Sequence, residues 1–102
     1  MSFFIISLRH THRKDPYMTL WRPNDAGYCY AKENAGTYEE PKKGYHDNDD
    51  NMPISTDFDY FITVKNIKYT GIEGGTRLMI PNCQAVWDEI GIKLTKNGFV
   101  RL

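Results

Sequence analysis

Residues 17–30 read Tyr-Met-Thr-Leu-Trp-Arg-Pro-Asn-Asp-Ala-Gly-Tyr-Cys-Tyr, and this stretch decides the fold. Two runs of apolar, aromatic and β-branched residues flank a cluster of turn-forming residues at 23–27, an arrangement that predicts a β-hairpin. Pro23 has no backbone N–H donor, so the first strand should end near Arg22. Gly27 can adopt a positive φ before the return strand begins.

The register of this hairpin has two alternatives. If Gly27 lies outside the turn, Trp21 pairs with Tyr28, and Leu20 and Cys29 share a core face. If the turn includes Gly27, Trp21 pairs with Cys29 and the aromatic residues divide between the faces. We favour the first register because it leaves Leu20 and Cys29 together for the core. Its aromatic side chains then belong either to the core and rim of a small sheet or to a stacking or protein-binding surface.

Composition describes an ordinary globular chain. Of its 102 residues, 40% are apolar, 25% charged and 14% aromatic, which predicts one domain, 1–102, richer in strands than in helices. The formal net charge is zero, so no overall field attracts nucleic acid, and nucleic-acid binding is not expected. No apolar stretch is long enough to span a membrane as a helix.

Two further features concern the compartment. Cys29 and Cys83 are too few for a disulfide framework. The apolar run at 3–6 lacks a basic flank and is too short for the core of a signal peptide. We therefore expect a cytoplasmic protein.

The predicted fold class is α+β: a small, mostly antiparallel sheet of hairpins with one short helix packed on it. The apolar run at 3–8 predicts a central strand, because a strand buried on both faces reads as continuously apolar. Turn-forming glycines predict a second hairpin from strands at 67–70 and 76–80. Asn97-Gly98 predicts a two-residue turn in a last hairpin.

The helix is predicted at 83–90, with Asn82 as its N-cap and Gly91 as its end. Cys83 falls on the apolar face of this helix, which predicts that its thiol is buried. The longest loop is expected at 41–53, where the chain is polar and acidic.

The segment at 9–16, here called the connector, carries a basic patch before the hairpin. We interpret it either as a solvated loop or as an anion-binding site, because guanidinium and ammonium groups recognise phosphates and carboxylates. With the aromatic residues of the hairpin, the second interpretation predicts a binding site formed by Arg9, His10, His12, Arg13, Lys14, Trp21, Arg22 and Tyr28.

Signatures of catalysis are weak. His10 and His12 would share a face if the strand continued, but a zinc site needs three or four ligands, and none shows ligand spacing. The acidic loop places Met52 where a calcium loop requires glycine. No nucleophile motif, phosphate loop or dinucleotide fingerprint occurs. We therefore predict no catalytic residue, metal or cofactor.

In several short motifs the chain resembles a group of small phage and prophage proteins of unassigned function. The likeness covers about half of the chain, residues 3–40 and 80–91, and its motifs are Leu-Arg-His-Thr at 8–11, Thr-Leu-Trp-Arg-Pro at 19–23, Ala-Gly-Tyr at 26–28, Ala-Gly at 35–36 and IPNCQAVWDEIG at 80–91. The resemblance implies a small accessory protein expressed in a bacterial host cytoplasm. It implies no site residues.

Three functions follow as hypotheses. The first is a non-enzymatic phage accessory protein that binds and blocks a host protein, such as a component of a defence system. The second is a sponge for a nucleotide signal or another phosphate ligand, with a basic and aromatic pocket. The third is a small metal- or cysteine-dependent enzyme. A homo-oligomer is compatible with all three.

Overall fold

The computed structural model describes residues 1–102 and builds its largest sheet around the first strand, β1 (Phe3–Ser7). This sheet has four antiparallel strands, with β1 between β2 (Thr19–Trp21) and β4 (Asn51–Ser55), and β3 (Tyr28–Cys29) outside β2. The side chains at 4–7 are buried on both faces of the sheet. The predicted central strand is therefore confirmed.

The hairpin adopts the first of its two predicted registers. Leu20 pairs with Cys29 and Trp21 with Tyr28. The Arg22 backbone N–H donates to the Gly27 carbonyl at 2.8 Å, which closes the turn. Gly27 has a φ of +105°, a conformation that favours glycine.

The long loop is shorter than predicted, because residues 51–53 belong to β4. Met52 and Ile54 of this strand point into the core, and all five of its residues pair with β1. Asn51 and Pro53 are poor strand formers, which explains why composition indicated a loop. Proline is tolerated here because β4 lies at the edge of the sheet.

The predicted strand at 67–70 is wrong. These residues form the one-turn helix α1 (Ile67–Thr70), and the strand pairs are instead β5 (Ile62–Val64) with β6 (Arg77–Met79). The side chain of Asn66 accepts a hydrogen bond from the Lys68 backbone N–H and caps the helix at its start. Gly71 ends it in the left-handed conformation, with a φ of 72°.

The main helix, α2 (Gln84–Ile90), begins one residue later than predicted. Its N-cap is Cys83, which makes no side-chain capping bond and is exposed rather than buried. The Asn82 side chain bonds to the connector and to Trp87 instead of capping the helix. Gly91 ends the helix with a φ of 80°, as predicted.

A last hairpin follows, formed by β7 (Ile92–Thr95) and β8 (Gly98–Arg101). Thr95 pairs with Gly98, so the two turn residues are 96 and 97, one position earlier than predicted. The predicted α+β class with antiparallel hairpins is confirmed.

The main core joins both ends of the chain, since it contains Phe4 of β1 and Phe99 of β8. A smaller core cluster contains Ala31, Val64 and Met79. No helix is long and apolar enough to cross a membrane.

Gly36 lies where two backbone segments meet. A Cβ atom at this position would lie 2.6 Å from the Cα of Pro23, and the Gly36 N–H donates to the Trp21 carbonyl at 2.9 Å. This residue therefore allows the chain after β3 to pack directly against the hairpin turn.

Candidate functional site

The connector leaves β1 through a buried threonine. Thr11 Oγ1 donates to the Ser7 carbonyl at 2.7 Å and accepts from the Thr19 backbone N–H at 3.0 Å. Because Thr11 faces inward, the residues on either side of it reach two different clefts. His10 lines one cleft and His12 lines the other. The two histidines therefore do not form a metal-binding pair.

The first cleft, here called the connector cleft, has a volume of about 550 Å³. It lies between the connector and the turn of the β7–β8 hairpin. One acidic residue, Asp50, contributes to its wall. The basic residues that line it are Arg9, His12, Arg13, Lys14 and Lys96.

Arg13 differs from the other basic residues of this cleft, because its guanidinium already forms hydrogen bonds within the chain. Its Nη2 donates to the carbonyls of Thr95 and Lys96 at 3.1 and 3.0 Å. The side chains of Arg9 and Lys14 are exposed and make no hydrogen bond or ion pair within the chain. Arg13 therefore anchors the cleft, while its neighbours remain available to a partner.

The side chain of Asn82 binds the backbone of the connector. Its Nδ2 donates to the carbonyls of His12 and Asp15 at 3.0 and 2.9 Å, and its Oδ1 accepts from Trp87 Nε1 at 2.9 Å. The Asp15 carboxylate accepts from the His12 backbone N–H at 2.9 Å. The backbone of the basic segment is thus held in one conformation before any partner binds.

The second cleft, here called the tyrosine cleft, has a volume of about 570 Å³. One wall is β3 with the residues that follow it, and the other is α1 with Gly71. Three tyrosines and three basic residues line it: Tyr28, Tyr30, Tyr69, His10, Arg22 and Lys68. No aspartate or glutamate is among its lining residues.

His10 and Tyr28 stack against each other at the mouth of the tyrosine cleft. Their ring centroids are 4.1 Å apart and their planes differ by 30°. Arg22 Nε donates to the Tyr28 carbonyl at 2.9 Å, which fixes the guanidinium beside the stack. The terminal nitrogens of Arg22 make no bond within the chain. Burial raises the pKa of the nearby Tyr30 phenol, and the Asp15 carboxylate adds to this shift.

Trp21 lies in the interior, apart from the other predicted binding residues. Its side chain is 6% exposed, and its Nε1 donates to Asn51 Oδ1 at 3.0 Å. It contacts four aromatic rings edge to face: Tyr28, Tyr38, Tyr45 and His46. The structure therefore gives Trp21 a packing role, and its ring offers no free face to a ligand.

The eight predicted residues thus divide among three places. The connector cleft contains Arg9, His12, Arg13 and Lys14; the tyrosine cleft contains His10, Arg22 and Tyr28; the interior contains Trp21. The sequence interpretation missed Lys96, Lys68 and Tyr69. The last two belong to α1, which was predicted as a strand. Only the capping residues around that helix signalled their position.

Two further reactive groups, the Cys29 thiol and the His46 imidazole, have structural roles. Burial raises the pKa of the Cys29 thiol from 9.0 to about 11, against a smaller opposing effect of Arg22, so the thiol stays protonated at neutral pH. His46 has both ring nitrogens engaged, one with Asp25 and the other with the Lys42 backbone N–H. No group of three metal-ligating side chains comes together.

Comparison with protein-family models, with curated proteins and with solved structures finds no match to this chain. The resemblance to small phage proteins therefore stays a prediction.

Proposed function

We propose that the chain is a non-enzymatic accessory protein of phage type, which binds and blocks a host protein by engaging an acidic surface with its connector cleft. The observation that carries this proposal is the convergence of Arg9, Lys14 and Lys96 on one cleft without any partner inside the chain. Unpaired cations on a concave surface attract carboxylates and raise the rate of association with an acidic partner.

The rigidity of the connector supports binding to a folded surface. The side chains of Thr11, Arg13 and Asn82 hold the connector through six hydrogen bonds, which join it to β1, β2, the last hairpin and the segment before α2. A preformed site loses little conformational entropy on binding, so the charges contribute more of their interaction energy to affinity.

The lining of the cleft favours a protein over a small aromatic ligand. The aromatic rings in its wall are Phe99, which is 9% exposed, and the small imidazole of His12. Base stacking therefore has little surface to use here, whereas carboxylates can reach the exposed basic groups. The phage origin rests on the resemblance alone, whereas the blocking role is inferred from the small size of the chain, the absence of catalytic motifs and the basic cleft.

Affinity capture from a host lysate at low salt tests the proposal, with native mass spectrometry as the readout. The informative variant is Arg9→Glu with Lys14→Glu. The matched control is Lys42→Glu with Lys43→Glu, which makes the same charge change at two exposed positions outside the cleft.

We expect the wild type and the control to retain one host protein at fixed stoichiometry, and the cleft variant to lose it. Added salt should weaken the complex, because ions screen the exposed charges. Equal capture by both double variants, or no capture by the wild type, would contradict the proposal.

A further inference from the structure

The tyrosine cleft is a second concave site, and the proposed blocking function does not use it. Its volume of about 570 Å³ lies within the range of small-molecule sites, about 300–1,000 Å³. It is separate from the connector cleft, since the two share no lining residue. Its ligand must therefore be inferred from its own chemistry.

The charges of this cleft select an anion. The chain carries equal numbers of acidic and basic residues, 13 of each, yet only basic groups line the cleft. Lys68 Nζ lies 5.5 Å from the centre of the Tyr69 ring and has no carboxylate partner. The terminal nitrogens of Arg22 are equally free. A guanidinium and an ammonium in one cleft bind phosphate oxygens with charge-assisted hydrogen bonds.

His10 adds a third donor. Ser7 Oγ accepts from the His10 backbone N–H at 3.2 Å and lies 3.0 Å from Nδ1. When Oγ donates its own proton to Nδ1, the neutral ring carries its proton on Nε2. Nε2 has no partner within the chain, so it can donate to an anion in the cleft.

The aromatic residues of the cleft favour a ligand that carries a planar ring in addition to its anionic group. Tyr28, stacked on His10, is 42% exposed on one wall. Tyr69 lies on the other wall, with its ring centroid 5.9 Å from that of Tyr30. Tyrosine faces stack on nucleobases with little dependence on base identity, because every base has a π-face.

We propose that the tyrosine cleft binds a nucleoside phosphate. The base stacks against the tyrosines, and the phosphates bind Arg22, Lys68 and His10. An acidic peptide would use the charges but not the tyrosine faces, and an uncharged aromatic ligand would use the faces but not the charges.

Isothermal titration calorimetry tests this site with the four ribonucleoside 5′-diphosphates, inorganic phosphate, adenosine and O-phosphotyrosine as probes. The variant is Arg22→Gln with Lys68→Gln, both exposed positions. Its matched control is Arg9→Gln with Lys14→Gln in the connector cleft. Near-ultraviolet circular dichroism verifies that each variant is folded.

We expect at least one nucleoside diphosphate to bind with a stoichiometry of one, about tenfold or more tighter than phosphate or adenosine, because both parts of the ligand contribute. The Arg22 and Lys68 variant should lose about tenfold or more in affinity, and the control should bind as the wild type does.

Three results would overturn the inference. They are no heat of binding with any diphosphate, binding that the control variant abolishes instead, and O-phosphotyrosine binding as tightly as the best nucleotide. The capture experiment on the connector cleft uses different residues, so either proposal can fail without the other.

Discussion

His46 Nε2 lies 2.7 Å from Asp25 Oδ1, and this contact fastens the long polar loop to the turn of the first hairpin. The other ring nitrogen, Nδ1, accepts from the Lys42 backbone N–H at 2.9 Å, so the neutral ring donates from Nε2 to the carboxylate. The His46 side chain is 6% exposed, and its ring packs edge to face against Trp21. A loop that is polar in composition is therefore held by a buried contact.

Replacing this imidazole should destabilise the fold. His46→Ala removes two hydrogen bonds and leaves a void beside Trp21, so we expect the free energy of unfolding to fall by about 2–4 kcal/mol. Urea denaturation measures the change. His12→Ala is the control, since that side chain is exposed, and it should shift stability by less than about 0.5 kcal/mol. Equal effects of the two variants would show that the buried contact is dispensable.

Gly36→Ala should destabilise the protein through a steric clash. Its new Cβ would lie 2.6 Å from the Pro23 Cα, and backbone on both sides limits relaxation, so we expect a loss of about 1–3 kcal/mol. Thermal denaturation provides the measurement. Gly71→Asn is the comparison, because Gly71 is left-handed but surrounded by open space, and asparagine tolerates that conformation. A larger loss at Gly71 would argue against close packing at Gly36.

Asn82 should be needed for the order of the connector. Asn82→Ala leaves the Asp15 carbonyl and Trp87 Nε1 without a partner and removes one of the two donors to the His12 carbonyl, which should cost about 1–3 kcal/mol. We expect faster amide hydrogen exchange at 9–16 and weaker capture of the host protein. Gln84→Ala removes one exposed side-chain bond and is the control. Unchanged exchange in the Asn82 variant would mean that the connector is ordered by other contacts.

Stability should fall at alkaline pH through Cys29. Its thiol titrates near pH 9.0 without the protein environment and at about 11 in the fold, so the unfolded chain binds fewer protons between these values. The contribution of the neutral thiol is therefore complete below pH 9.0 and is lost as pH rises through about 11. The full loss is about 3 kcal/mol, because one pKa unit corresponds to about 1.4 kcal/mol.

Urea denaturation at about pH 8 and about pH 10.5 checks this prediction. Cys29→Ala should reduce the difference between the two pH values, whereas Cys83→Ala should leave it unchanged because that thiol is exposed. The raised pKa values of Tyr30 and Tyr38 act in the same direction at higher pH, so part of the difference should persist.

The fold was predictable where local signals agree. Pro23 and Gly27 delimit the first turn. The register of the two strands that it joins follows from placing the core residues Leu20 and Cys29 opposite each other. At 67–70, the strand propensities of Ile67 and Tyr69 favour a strand. The segment is nevertheless a helix, with Asn66 as its N-cap and Gly71 as its C-cap. β4 was missed because its stability comes from pairing with β1, a partner far away in sequence.

The candidate site was predictable in composition but not in arrangement. The basic connector was correctly read as one segment, but the inward turn of Thr11 sends its histidines to different clefts. Lys68 and Lys96 join these clefts only through tertiary packing, which a single sequence does not reveal. Trp21, which the sequence suggests as a stacking residue, is instead buried and packs against other aromatic rings.

The presence of Phe4 and Phe99 in the same core has a consequence for biosynthesis. The central strand leaves the ribosome before β4 and the last hairpin are present to cover it. Strand edges and apolar surface that wait for distant partners are prone to aggregation during synthesis. The nascent chain should therefore depend on chaperones such as those that shield apolar segments at the ribosome exit, until β8 has emerged and the core can close.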